Sequence, residues 1–152
     1  MSTDRSEPER SLLSQHFDGG QLAAVRHWVN KLASEFGLSA RRRADFVLAV
    51  DEVITNAVRH GGGHGRLDVW AGRGRLWFRV TDTGPGLTMP LASRPPEPTV
   101  AGGRGLWIAR QVTDDLTIAT SALGTTVTGA LDLPSQVDGE PAGASRSAPP
   151  PL

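Results

Sequence analysis

Residues 44–58 constrain the fold of this chain more than any other stretch. Val47, Val50, Val53, Ile54, Ala57 and Val58 recur at steps of three and four, the signature of a buried helical face. Asp51, Glu52, Thr55 and Asn56 interrupt that run, and Glu52, Asn56 and His60 follow one another at i, i+4 and i+8. That spacing stacks them along one stripe of the helix. A solvated face would ordinarily carry Lys and Glu there, whereas this stripe sets Glu, Asn and Thr among valines. Read chemically, a carboxylate base sits one turn from an amide oxygen able to ligate a hard cation. Mg²⁺ takes few protein oxygens and leaves its other positions to water and phosphate, so a single Asn suffices. Ser39 reads as the N-cap and Gly61-Gly62-Gly63 as the stop.

Three further motifs follow in order. Arg75-Leu76-Trp77-Phe78-Arg79-Val80 alternates like a strand and runs into Asp82-Thr83-Gly84-Pro85-Gly86. Gly84 and Gly86 permit positive φ and close approach to a flat ring. Asp82 is an acceptor suited to an exocyclic amine such as adenine N6. Alone, Asp-x-Gly is simply a β-turn. Gly102, Gly103 and Gly105 then precede an apolar run, Leu106 to Val112, that suits a short helix. A glycine turn opening a helix presents free N–H groups and a positive dipole end to anions, and Arg104 adds a charge. No Lys-Ser or Lys-Thr follows, so this is not a P-loop, and no βαβ unit makes it a Rossmann fingerprint. Alone it reads equally as a surface loop. Gly124-Thr125-Thr126 completes the set. Together the four describe a pocket for magnesium and a nucleotide.

This set resembles the GHKL (Bergerat-fold) ATP-binding superfamily over about residues 11–134. Asp51-Glu52-Val53-Ile54-Thr55-Asn56-Ala57-Val58-Arg59-His60-Gly61 is similar to the corresponding helix of the single-domain bacterial anti-sigma-factor serine/threonine kinases. The resemblance implies ATP and Mg²⁺ as ligands, Glu52 as general base and Asn56 as the magnesium ligand. It implies that Asp82 receives the adenine amino group and that Gly84 and Gly86 shape the adenine pocket. Gly103, Arg104, Gly105 and Leu106 would lie by the phosphates, with Thr125 near the base and the proline-rich residues 87–101 as a short lid. It further implies a sigma factor and a STAS-type anti-sigma-factor antagonist as protein partners, with homodimerisation left open. The alternatives are a non-catalytic, nucleotide-gated binding module and an isolated ATPase or histidine-kinase-like ATP-binding domain.

Composition fits one soluble domain. The 152 residues suffice for a real core, and 16 Lys+Arg balance 16 Asp+Glu, so no basic field points to nucleic acid or an anionic membrane. There is no cysteine, hence no disulfide framework or thiol nucleophile. No apolar run reaches membrane-spanning length and no signal-peptide core opens the chain, so a cytoplasmic protein is expected.

The expected fold class is α/β, a two-layer sandwich with helices on one face of a mixed sheet. Residues 1–10 are expected to be loose, 11–134 to form the ATP-binding domain, and 135–152, rich in Pro, Gly, Ser and Ala, to be a disordered tail. Within the domain, residues 11–17 read as an edge strand and 21–36 as an amphipathic helix stopped by Gly37. Residues 67–71 and 75–81 form one hairpin, 116–120 and 125–133 another. His27 reads as a surface histidine, and Arg41-Arg42-Arg43 as solvated charge in a first helical turn. Trp28, Trp70, Trp77 and Trp107 are expected in or beside the core.

Overall fold

The computed structural model describes residues 10–86 and 103–134. In chain order its elements are β1 (Arg10–Asp18), α1 (Leu22–Glu35), α2 (Ala40–His60), β2 (His64–Gly72), β3 (Arg75–Asp82), α3 (Gly103–Val112), β4 (Asp115–Ser121) and β5 (Gly124–Asp132). The expected loose start, lid and tail lie outside the described residues, apart from Arg10, which opens β1, and Gly86 before the lid.

The sandwich expected from the sequence is found, with one correction. The five strands take the order β1-β2-β3-β5-β4, and every hydrogen-bonded pair is antiparallel. The expected mixed sheet fails for a topological reason. β3 and β4 run in the same direction through the α3 crossover, but β5 inserts between them and runs against both.

Local chemistry sets the boundaries. Ser39 caps α2 by accepting a hydrogen bond from Arg42 N–H, and Gly37 takes φ +85° after α1, as expected of a stop. The β2–β3 hairpin turns on Arg73 and Gly74, at φ 55° and 75°. Two residues with positive φ match the right-handed twist of the flanking strands. Beside that turn, Arg42 pairs with Asp114, whose Oδ2 also accepts from Asp132 N–H, tying the start of α2 to the sheet.

The helices cover one face of the sheet. Val25, Val29 and Ala33 of α1 and Phe46, Val50, Val53, Ile54 and Ala57 of α2 are buried against Leu67, Val69, Leu76, Phe78, Val80, Val127 and Leu131. Phe46 meets Phe78 edge to face at 5.8 Å, locking α2 to β3. On the other face Trp70 and Trp77 stack as a cross-strand pair at 5.7 Å, with the Arg79 guanidinium over Trp70. Trp28 departs from expectation. It is 40 % exposed, because it lies on α1 between the buried positions 25 and 29 but off their stripe.

The end of α2 lies against the turn after β3, backbone on backbone, at Gly61 and Gly84. A Cβ on Gly84 would lie 2.4 Å from the carbonyl carbon of Gly61, and one on Gly61 would lie 2.4 Å from Asp82 Cγ. We expect Gly84→Ala to cost about 1–3 kcal/mol in chemical denaturation, since backbone must move. Gly19→Ala, whose Cβ would make an ordinary 3.5 Å contact, should stay within about 0.5 kcal/mol of the parent.

Candidate functional site

Helix α2 is the spine of the site. Glu52, Asn56 and His60 are all half-buried along it, and the helix ends at Gly61, whose N–H donates to Ala57 O at 2.8 Å. From Glu52 to Gly61 the helix advances about 13 Å at 1.5 Å per residue. The other motifs meet it at those two ends.

At the Gly61 end stands Asp82, the last residue of β3, buried at 8 % exposure. Its Oδ1 accepts hydrogen bonds from Gly84 N–H at 2.9 Å and from Thr125 N–H at 3.3 Å. Its Oδ2 takes none from the described residues, which leaves an acceptor for a donor such as an exocyclic amine. Thr125 is buried beside it, its hydroxyl 2.9 Å from that of Thr120. The turn is thus an Asx turn, and its aspartate also clasps the start of β5.

The two glycines of that turn have different reasons to be there. Gly86 takes φ +87°, and a Cβ there would strike Ser121 O at 2.1 Å. Gly84 does not need positive φ, contrary to expectation. It is required because its backbone lies on that of Gly61.

At the Glu52 end lies the first turn of α3. That helix starts at Gly103, so Arg104, Gly105 and Leu106 are helical rather than part of a preceding loop. A Cβ on Gly105 would sit 2.8 Å from Glu52 Oε1, so a larger residue would crowd the carboxylate. Leu106 sends its side chain into the core, leaving only its backbone to face a ligand, while the Arg104 side chain is exposed. Free N–H groups and a positive dipole end at such a helix start favour an anion. Burial pushes the Glu52 carboxyl above the ordinary carboxylate range; the Asp51 carboxylate adds to the rise and Arg59 opposes it.

The donor set fits magnesium only as a shared ion. Among the described residues no cluster of three His, Cys, Asp or Glu side chains is built to hold a metal. Asn56 is half-buried and makes no hydrogen bond with described residues, so its amide oxygen is available. One amide oxygen suits a cation that keeps water and phosphate oxygens for its remaining positions.

The family model described as "Histidine kinase-like ATPase domain" matches residues 17–130. The chain belongs to that family. It is a GHKL-type domain close to the anti-sigma-factor kinases. Among solved structures, the RsbU and RsbW domains of Rv1364c from Mycobacterium tuberculosis are similar at 25 % identity and TM-score 0.58, covering 80 % of this chain and 33 % of theirs. The chain therefore spans about a third of that relative's length. The catalytic domain of histidine kinase ThkA matches at 13 % identity and TM-score 0.51, over 80 % of this chain and 97 % of that one. The Acinetobacter baumannii histidine kinase AdeS matches at 14 % and 0.51, over 82 % and 69 %. No curated protein matches. Among the described residues no helix is long and apolar enough to cross a membrane.

Sequence reasoning singled out Gly61 only as a helix stop. Its role as the seat of the Asp82 turn is invisible without the fold, as is the ion pair from Arg26 Nη1 to Asp51 Oδ1 at 2.7 Å. Three glycines after a helix signal an ending, and nothing in them names the partner.

The raised Glu52 pKa has a consequence for stability that is independent of any ligand. A folded value above the unfolded one means that Glu52 favours folding below its unfolded value, and that this contribution is lost as pH rises through the folded one. Glu52→Gln should therefore melt at a higher temperature than the parent near pH 7.5. The difference should vanish towards pH 4, and thermal melts across that range check it.

Proposed function

We propose that this domain binds ATP with Mg²⁺ and transfers the γ-phosphoryl group to a serine or threonine of a small antagonist protein, regulating a sigma factor. The observation that carries the reading is the Glu52 carboxylate set against the first turn of α3, one helical turn from Asn56. A proton acceptor, a cation ligand and an anion-binding helix start converge there, about 13 Å along α2 from the buried Asp82 acceptor. An extended nucleotide with its base at Asp82 would present its terminal phosphate to Glu52. Family membership supports the nucleotide, and likeness to an RsbW domain supports the protein hydroxyl as acceptor.

Each residue has a distinct task. Asp82 accepts from the adenine amine through Oδ2 while Oδ1 holds its own turn. The backbone of residues 103–106 faces the phosphates, and Arg104 adds positive charge there. Asn56 would hold magnesium, whose positive charge offsets that of the phosphates when bound. Glu52 takes the proton of the acceptor hydroxyl as its oxygen bonds to the γ-phosphorus and the bond to the ADP oxygen breaks. Positioning and electrostatics carry most of such a transfer, so a small domain can support it. A raised base also sits closer to working pH than an ordinary carboxylate, and transfer should fall as pH drops through the Glu52 value.

Two substitutions separate binding from chemistry. Asp82→Asn should lose most ATP affinity in calorimetry, since the acceptor facing the amine becomes an amide able to present a donor. Equal affinity in parent and variant would remove Asp82 from the base pocket. Glu52→Gln should keep nucleotide yet lose about 10²–10⁴-fold in transfer to the antagonist. Nucleotide binding without transfer to any antagonist would favour a domain whose nucleotide only gates partner binding.

A further inference from the structure

We propose that Arg26 on α1 is a positioning residue for the Glu52 carboxylate. It holds the neighbouring Asp51 side chain on the α1–α2 seam, and so limits how closely that second carboxylate approaches Glu52. The inference rests on the role given to Glu52 above, and extends the working site to a helix that bears none of the four motifs.

The geometry is specific. Arg26 Nη1 lies 2.7 Å from Asp51 Oδ1, linking residues 25 positions apart in the chain. Asp51 immediately precedes Glu52, and consecutive helical residues leave the axis about 100° apart, so the two carboxylates diverge without separating far. Arg26 takes the Asp51 carboxylate on the side away from α3, the helix against which Glu52 lies. The charged groups around Glu52 are few. Asp51 and Arg59 share its helix, Arg26 reaches it from α1 through Asp51, and Arg104 precedes the α3 glycine it touches. Asp51 is the carboxylate that raises Glu52, and it is the one that Arg26 holds.

The pair also lies in the wall of an open groove between α1 and α2, together with Asn30, Arg43 and Val47. Its side chains are 42 % and 29 % exposed, so its field is partly screened and its effect is moderate. A pair that existed only to join two helices would affect melting and leave the electrostatics of Glu52 untouched. This difference makes the two roles separable.

The test is a titration of the Glu52 side-chain carboxyl by carbon-13 NMR in the full chain at low salt, the resonance being assigned by its loss in Glu52→Gln. Arg26→Gln should raise the midpoint by about half a pH unit, and Asp51→Asn should lower it by a similar amount. The double variant should match Asp51→Asn alone, because Arg26 acts through Asp51, and Arg26→Lys should retain most of the parent value. Midpoints unmoved in the single variants would overturn the proposal, even if melting temperatures fell. A double variant that departed from Asp51→Asn would overturn it too. Should Arg26→Gln fail to fold, Arg26→Met, which keeps an apolar stem and removes the charge, decides in its place. The measurement needs no phosphotransfer. An inactive parent protein would count against Glu52 as a base, while a shifted midpoint would still establish the Arg26–Asp51 control of that carboxylate.

Discussion

Helix α2 ends with its backbone pressed on the backbone of the turn after β3, and the arrangement of the site depends on that contact. Side chains at Gly61 or Gly84 would hold the two segments apart by more than the loops could absorb. With both absent, Asp82 comes against the helix end and uses one oxygen to fix its own turn and the first residues of β5. One carboxylate thereby joins a helix, two strands and a turn, and still keeps Oδ2, beside Gly61, without a hydrogen bond from the described residues. An aspartate spent wholly on structure would have nothing left for a ligand; one spent wholly on a ligand would be poorly held.

The opposite end of the helix follows another logic. Glu52 is placed where burial works against its charge, and Gly105 lets a second helix come close to it. That arrangement costs stability once the carboxyl is charged, a trade common at working sites, and on the proposed role it supplies a base less acidic than an ordinary carboxylate. The core beneath absorbs the cost. The buried stripe of α2 interleaves with the sheet through Phe46 and its neighbours, so the polar stripe above rides on a rigid support.

Much of this was legible in the chain. The period of residues 44–58 announced α2 and its two faces, Ser39 and Gly61 marked its ends, and the alternation in β3 led directly to Asp82. The β2–β3 turn was readable because Gly-Arg-Gly between alternating segments has few other uses. Other features were not legible because they are agreements between distant segments. Gly84 looked like a residue chosen for its dihedral angles, and proved to be one chosen for its neighbour. The glycines before Leu106 looked like a loop, because glycine is a poor helix former and local preference hides a helix that tertiary packing sustains. The sheet looked mixed because a strand–helix–strand unit suggests parallel neighbours, and nothing local reveals that a later strand will slip between them.

That insertion orders events in time. Without β5, β4 has no ladder partner among the described strands, and the far edge of β3 lies open. The contacts that close the sheet join residues far apart in sequence, the slow class in folding. A ribosome-bound chain exposed only through β4 would already hold α2, β2 and β3, yet Asp82 would lack Thr125 and clasp only its own turn. On the proposed placement of the nucleotide, its base pocket is therefore among the last parts of the domain to come into being, because Thr125 reaches Asp82 only once β5 has emerged.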